Sequence, residues 1–426
     1  MASDIAARPC CVKRLHPALP CDIVRRKPGE FAVRAFSQTI LATSPPPVME
    51  ARRWIAGVSF PPGRPLLNLS QAAPVDPPPA PLHKAMAEAI AEDDTHLYGP
   101  VLGRPELRAE IAARWSGIYG AEIGAADVAI TSGCNQAFCA AIAAIAAPGD
   151  AVMLPTPWYF NHKMWLDTAG IETVPLPCGA DMVPRPEEAE RRLTGRTRAI
   201  VLVTPNNPTG AEYPAEILEG FSDLARSRGL SLVVDETYRD FHSATGAPHR
   251  LFETEGWRDW LVHLYSFSKV FRLTGHRIGA LVAGPDLLAQ TEKFLDSVAI
   301  CPNQLGQKAA LYGLRELNQW VAGERAEILR RRAAMKSGFN DLPGWELLGC
   351  GAYFAYVRHP FDMPSDTLAR RLVAEQSLLV LPGTMFAPMA ADGGGGVAET
   401  TLRIAFANAD TLGIAELFRR LRAFVP

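Results

Sequence analysis

Lys269 sits in Ser266-Phe-Ser-Lys-Val-Phe-Arg-Leu-Thr-Gly-His-Arg277, an apolar and hydroxyl-bearing setting. The run Leu261 to Tyr265, which leads into it, reads as a buried strand. An amine held among apolar neighbours has a depressed pKa, so more of it is neutral and nucleophilic. Such an amine forms Schiff bases with carbonyls. Asp235 ends a second apolar run, Leu230 to Val234. A carboxylate placed there is costly unless paired, so Asp235 requires a cationic partner. Gly133, Cys134 and Asn135 follow a third such run, Val128 to Thr131, and open an alanine-rich helix. Backbone N–H groups at a helix N-terminus make an anion site. Arg277 follows Lys269 closely, and Arg403 lies in Leu402-Arg-Ile-Ala-Phe406. A guanidinium fork suits phosphates and carboxylates, although an arginine like Arg403, taken alone, is more often a surface charge.

These residues need elements to hold them. Val128–Thr131, Ala151–Leu154, Arg198–Thr204, Leu230–Val234 and Leu261–Tyr265 read as strands buried on both faces. Helical stretches separate most of them. Polar residues follow the strand ends: Pro155-Thr-Pro-Trp158 after one, Pro205-Asn-Asn207-Pro-Thr-Gly210 after another, Asp235-Glu-Thr-Tyr238 after a third. This alternation predicts an open α/β sheet, which binds ligands at the carboxyl ends of its strands. A flat ring at such an end, as at Trp158, can stack on a planar ligand. Past residue 310 the texture changes. A long arginine-rich helix is expected over roughly 307–339, then a strand–helix–strand pattern with a helix at 365–376 and a strand at 378–381. That predicts a second, smaller domain.

Composition narrows the classes. The chain has 426 residues, a net charge of −2 and 21% charged residues. It carries no electrostatic footprint for nucleic acid or an anionic membrane. Eight cysteines form no CxxC pair and no zinc-like cluster with histidine. The longest apolar run, Ala137 to Ala147, is too short to span a bilayer. Gly393 to Gly396 is not a phosphate-binding P-loop, since no Gly-Lys-Ser/Thr follows. The first 45 residues are basic and proline-interrupted and lack the apolar core of a secretory signal. They are expected to be a poorly ordered extension of a cytoplasmic protein.

Jointly, and in this order along residues 66–408, the motifs resemble those of class I/II aminotransferases, the pyridoxal-phosphate enzymes of fold type I. The resemblance implies a large domain (81–310) with a mostly parallel sheet, a small C-terminal domain (311–426) and an N-terminal arm (46–80) joining the small domain. It implies that Lys269 holds the cofactor as a Schiff base and then moves the α-proton. Asp235 would keep the pyridine nitrogen protonated, Tyr238 and Asn207 would bond the phenolate oxygen, and Trp158 would stack on the ring. Gly133, Cys134, Asn135, Ser266, Ser268 and Arg277 would hold the phosphate. Tyr98 would reach that phosphate from a second subunit of a homodimer. Arg403 would grip the substrate α-carboxylate, with Asn207 and Trp158 beside it.

Two positions depart from the family pattern. Ala72 stands where glycine is usual, on the loop that meets the substrate. Arg272 stands where a small residue is usual, and is expected to face solvent or line the entrance. The implied reaction is ping-pong transfer of an amino group between an L-amino acid and a 2-oxo acid. A β-lyase of sulfur amino acids or a cyclising enzyme shares the same residues. A non-catalytic regulator is disfavoured, because no DNA-binding module precedes the motifs. No arginine lies between Ser297 and Asn303, which leans away from aspartate or glutamate as donor and toward neutral or aromatic side chains.

Overall fold

The computed structural model describes residues 36–74, 76–388 and 396–426. The basic N-terminal stretch, with Cys10, Cys11 and Cys21, and most of the glycine run at 393–396 lie outside the described residues. The described chain begins with α1 (Gln38–Ala42), α2 (Pro47–Ile55), β1 (Leu67–Asn68), α3 (Ala80–Ala89) and α4 (Pro105–Tyr119). Helices α2, α3 and α4 all carry proline in the first turn, where its missing N–H is not needed.

Strands and helices then alternate: β2 (Val128–Thr131), α5 (Cys134–Ile145), β3 (Ala151–Thr156), α6 (Phe160–Ala169), β4 (Glu172–Pro177), α7 (Pro186–Arg192), β5 (Thr197–Val203), α8 (Ala215–Arg228) and β6 (Ser231–Asp235). Next come β7 (Leu261–Ser266), the single turn α9 (Phe267–Val270), β8 (Gly279–Val282), α10 (Pro285–Ala299) and α11 (Gln304–Glu316). These strands form one sheet in the order β2-β8-β7-β6-β5-β3-β4. All neighbours are parallel except the pairs made by β8.

The sheet is apolar on both faces because helices cover both. Met153, Ile200, Leu232 and Val234 pack in one core with α4 and α8, while Val152, Leu154, Val201 and Val233 pack in another with α5 and α6. Two strands were not among those expected. β4 carries two prolines, which an edge strand tolerates, and β8 is only four residues long.

The remaining elements are α12 (Asn318–Asn340), β9 (Glu346–Gly351), β10 (Phe354–Arg358), α13 (Ser365–Gln376), β11 (Leu378–Leu379), β12 (Leu381–Pro382), β13 (Thr401–Ile404) and α14 (Thr411–Ala423). The long expected helix is therefore two, broken at Leu317. Ala309, Ala310, Leu314 and Leu317 pack in the large core, whereas Ile328, Met335 and Phe339 pack in the small one. The passage between the two cores thus runs through α12. β12-β13-β10-β9 form an antiparallel sheet. The expected strand 378–381 is divided, since β11 pairs parallel with β1 of the N-terminal arm while β12 pairs with β13.

Candidate active site

A cavity of about 400 Å³ opens at the carboxyl ends of β5, β6 and β7 and reaches β13 of the small sheet. The Lys269 side chain enters it from α9, and its Nζ donates to the Ala72 carbonyl at 2.6 Å. Burial, then the positive charges of Arg277 and Arg403, pull this amine down to about 8. A substantial fraction is therefore neutral near physiological pH.

Asp235 lies at the tip of β6 and is 3% exposed. Its side-chain partner is the His162 imidazole on α6, with Nε2 3.4 Å from Oδ2. Thr237 N–H donates to Oδ1 at 2.9 Å. Burial raises the Asp235 pKa, but His162 and Thr237 outweigh it and hold the carboxylate below its ordinary value. His162 is itself fixed by stacking on Phe138, ring centroids 3.9 Å apart. The next residue, Glu236, points to the opposite face of the sheet, as strand alternation demands. There it meets the buried His263 at 2.8 Å and accepts from Tyr119. The tip of β6 is thereby anchored from both faces.

Arg403, on β13, is 2% exposed. Its Nη1 donates to Asn207 Oδ1 at 3.0 Å and its Nη2 to the Ser70 carbonyl. Its Nε has no partner. Phe386 and Phe354 flank the guanidinium, centroids at 4.8 and 5.2 Å. Among the described residues no carboxylate lies within ion-pair distance of it. Burial lowers its pKa to about 10, and it remains a cation. A buried cation with only neutral partners is costly and calls for an anionic ligand. Tyr238, 5% exposed, lines the same cavity, and burial pushes its hydroxyl pKa well up.

The anion corner is built at the start of α5. Gly133 takes φ 85, and a Cβ there would run into the Arg277 guanidinium. Gly279 lets β8 approach, since a Cβ there would lie 2.6 Å from Cys134 N. The first N–H groups of α5 have no intrahelical acceptor. Arg277 Nη1 donates to Ser268 Oγ at 3.2 Å, and Ser266 Oγ accepts from Ser268 N–H at 3.2 Å. Free helix N–H groups, two hydroxyls and a guanidinium fit a phosphate. An ionised Asp235 and a depressed lysine at the same cavity fit a phosphate-bearing pyridine aldehyde. Among the described residues no group of histidine, cysteine and acids could hold a metal ion.

The geometry moves two expected residues, Trp158 and Arg272. Trp158 is buried but does not line the cavity; Tyr159 does, its hydroxyl 3.2 Å from Asn135 Oδ1. Trp158 packs instead with the core that holds Leu154 and Val201. Arg272 neither faces open solvent nor lines the entrance. It takes φ 56, pairs with Glu324 on α12 at 2.6 Å and with Asp76 at 3.5 Å, and lies over the Trp320 ring. Tyr98 is 81% exposed and away from the cavity of its own chain. Ala72, in contrast, lines the cavity as expected for its position. His162, Thr237 and Tyr159 were not among the expected residues. The Phe160-Asn-His162 run just after the aromatic cluster was the available signal for the first.

Comparison with known proteins agrees with this geometry. The family of class I and II aminotransferases matches residues 64–421. The aspartate/prephenate aminotransferase of Thermus thermophilus is 29% identical over 336 residues, 76% of this chain and 84% of that protein. The arginine–pyruvate transaminase of Pseudomonas aeruginosa is 29% identical over 367 residues, 83% of this chain and 92% of that protein. The solved aspartate aminotransferase from Thermus thermophilus with maleate superposes with a TM-score of 0.82 at 26% identity, covering 92% of this chain and 100% of that one. Sequence and fold therefore agree over most of the length, and the chain belongs to the class I and II aminotransferases, pyridoxal-phosphate-dependent transaminases of fold type I.

Proposed function

We propose that this transaminase works through Lys269, with an L-amino acid of neutral or aromatic side chain as donor and a 2-oxo acid as acceptor. When bound, pyridoxal phosphate supplies a carbonyl to take up the amino group and a cationic ring to spread the electron pair left by the α-proton. The chain's own residues do the rest. Lys269 holds the cofactor at rest and, once released, carries a proton to and from the substrate Cα as its neutral amine. Asp235, kept ionised by His162 and Thr237, sets a negative charge at the ring nitrogen. Asn207 and Tyr238 orient the ring oxygen, and Tyr159 walls the ring. The α5 N–H groups, Ser266, Ser268 and Arg277 retain the phosphate. Arg403 takes the α-carboxylate.

The observation that carries this reading is the buried Arg403 cation, which has only neutral partners beside the depressed amine of Lys269. The test is Lys269→Ala with a panel of donors and acceptors. Transfer should fall at least about a thousandfold, the order of a lost general base together with a lost attachment point. Turnover near wild type would remove Lys269 from the mechanism.

The finer assignments are a cytoplasmic homodimer. Exposed Leu97 and Tyr98 join exposed Ile300 through a Gly99 N–H to Cys301 Sγ contact of 3.4 Å. This apolar surface supports burial against a second copy, which would bring Tyr98 to the partner's phosphate corner. Sedimentation showing a monomer at micromolar concentration would exclude it. The five cysteines among the described residues are unpaired, which supports a reducing compartment.

A further inference from the structure

The N-terminal arm passes from one core to the other beside Lys269. Upstream it is moored to the small domain. The Leu67 and Leu69 N–H groups donate to the Ser377 and Leu379 carbonyls, both at 2.8 Å, and Ala405 N–H donates to the Leu69 carbonyl at 2.9 Å. Arg403 and Asn408 then donate to the Ser70 and Gln71 carbonyls. Downstream, Leu82 of α3 is buried in the large core. The strip Ser70-Gln71-Ala72 thus ends the small-domain mooring, and the crossing follows it.

Two side chains from the region of the lysine turn meet the arm there. Lys269 Nζ donates to the Ala72 carbonyl at 2.6 Å. Arg272 Nη1 donates to the Pro77 carbonyl at 3.3 Å and lies 3.5 Å from Asp76 Oδ2. The first tie is temporary, because the Lys269 amine must leave Ala72 to hold the cofactor and to serve the substrate Cα. The second is free of that duty, and its far end is fixed. Arg272 Nε and Nη2 both donate to Glu324 Oε2, at 3.1 and 2.6 Å. Glu324 sits on α12 between Leu317, in the large core, and Ile328, in the small one. The Arg272 backbone N–H also closes the lysine turn, donating to the Lys269 carbonyl at 3.3 Å. Arg272 does this at φ 56, a conformation that costs a side-chain-bearing residue energy and suits glycine. The contacts of its side chain offset that cost by joining the lysine turn, the arm and α12.

We propose that Arg272 is a positioning residue of the transaminase site. It pins the arm to α12 while Lys269 is at work, so that Ser70 stays on Arg403 and the carboxylate grip keeps its aim. The inference rests on the transaminase reading of the site. Arg272 does not line the cavity, so it acts through the strip.

The test compares wild type, Arg272→Gly and Arg272→Lys. Glycine suits this φ, so it removes the side chain without adding backbone strain. The first readout is amide hydrogen exchange over residues 66–73, followed by mass spectrometry. In holoenzyme, where Lys269 is engaged, Arg272→Gly should exchange roughly three- to tenfold faster than wild type, the scale of one weak charged contact. In cofactor-free protein, where Lys269 still holds Ala72, the same substitution should act less. Equal acceleration in the two forms, or less than about twofold in holoenzyme, overturns the proposal. The second readout is the half-reaction of holoenzyme with an L-amino acid and with the amine that lacks its carboxylate. Arg272→Gly should raise the apparent dissociation constant of the amino acid roughly three- to tenfold, with its rate at saturation and the rate of the amine within about twofold of wild type. Arg272→Lys should recover part of the loss. An equal loss on both compounds, or none on the amino acid, places Arg272 in the fold alone and overturns the positioning role. If wild-type holoenzyme takes an amino group from no amino acid while the exchange result stands, the transaminase reading fails and the arm tie survives.

Discussion

Replacing Arg403 by lysine keeps the charge and removes the fork. Arginine offers five N–H donors. Asn207 Oδ1 and the Ser70 carbonyl take one each, and Nε has no protein partner. Enough donors therefore remain to meet a carboxylate at both oxygens. Lysine carries three donors on one nitrogen. If it keeps the same two anchors, a single donor is left for the substrate. One charge-assisted hydrogen bond is lost, about 1.5–3 kcal/mol, which corresponds to roughly a 10- to 150-fold fall in kcat/KM. The assay is a single-turnover half-reaction, followed by cofactor absorbance after an L-amino acid is mixed with holoenzyme. The control is the amine with the same side chain and no carboxylate. Arg403→Lys should slow the amino acid and leave the slow reaction of the amine within about threefold of its wild-type rate. An equal loss on both compounds, or less than a threefold loss on the amino acid, would refute the reasoning, because Arg403 would then act on the fold or the cofactor.

Three other outcomes follow from the same geometry. In cofactor-free protein the Lys269 amine, at about 8, is protonated below that pH, so reconstitution with cofactor should slow about tenfold per unit as pH falls from 8 to 6 and level off above. Because the Arg277 charge lowers this pKa, Arg277→Gln should move the midpoint upward; a midpoint near 10 in the wild type would mean the amine is not buried as described. His162→Phe keeps a ring against Phe138 but takes away the Asp235 partner, so the Asp235 pKa should rise and cofactor dissociation should weaken retention roughly tenfold, the scale of one charged contact; equilibrium dialysis giving a wild-type constant would count against it. Arg272→Ala should lower unfolding free energy in urea by about 1–2 kcal/mol through loss of the Glu324 and Asp76 pairs, and a change below 0.5 kcal/mol, roughly the value of exposed pairs, would show that these ties add nothing to the fold.

Much of the site could be read along the chain because its parts are local. An apolar strand followed at once by Asp235, Asn207 or Lys269 is a contiguous pattern, and the sheet's topology aligns those ends. What could not be read depends on contacts between distant segments or on single-residue orientation. His162 reaches Asp235 from a different helix, so the need for a partner at Asp235 was legible but this imidazole was not. Trp158 and Tyr159 are adjacent, and which of the two rings enters the cavity turns on backbone direction at the end of β3. Arg272 read as a surface or entrance charge because its partner Glu324 lies on α12. The break between α11 and α12 falls at Leu317, with no proline or glycine to mark it. β4 was hidden by prolines that only its edge position excuses.

The strip Ser70-Gln71-Ala72 has one more consequence. Its first carbonyl is bonded to Arg403 and its last to Lys269. Successive Cα atoms are fixed at about 3.8 Å by the peptide bond, so the gap between the two carbonyls that Arg403 and Lys269 contact is set by covalent chain. The strip is a gauge. It fixes the spacing of the two carbonyls on which the Arg403 and Lys269 side chains rest, so a shift of either residue in the strip would move both tips together.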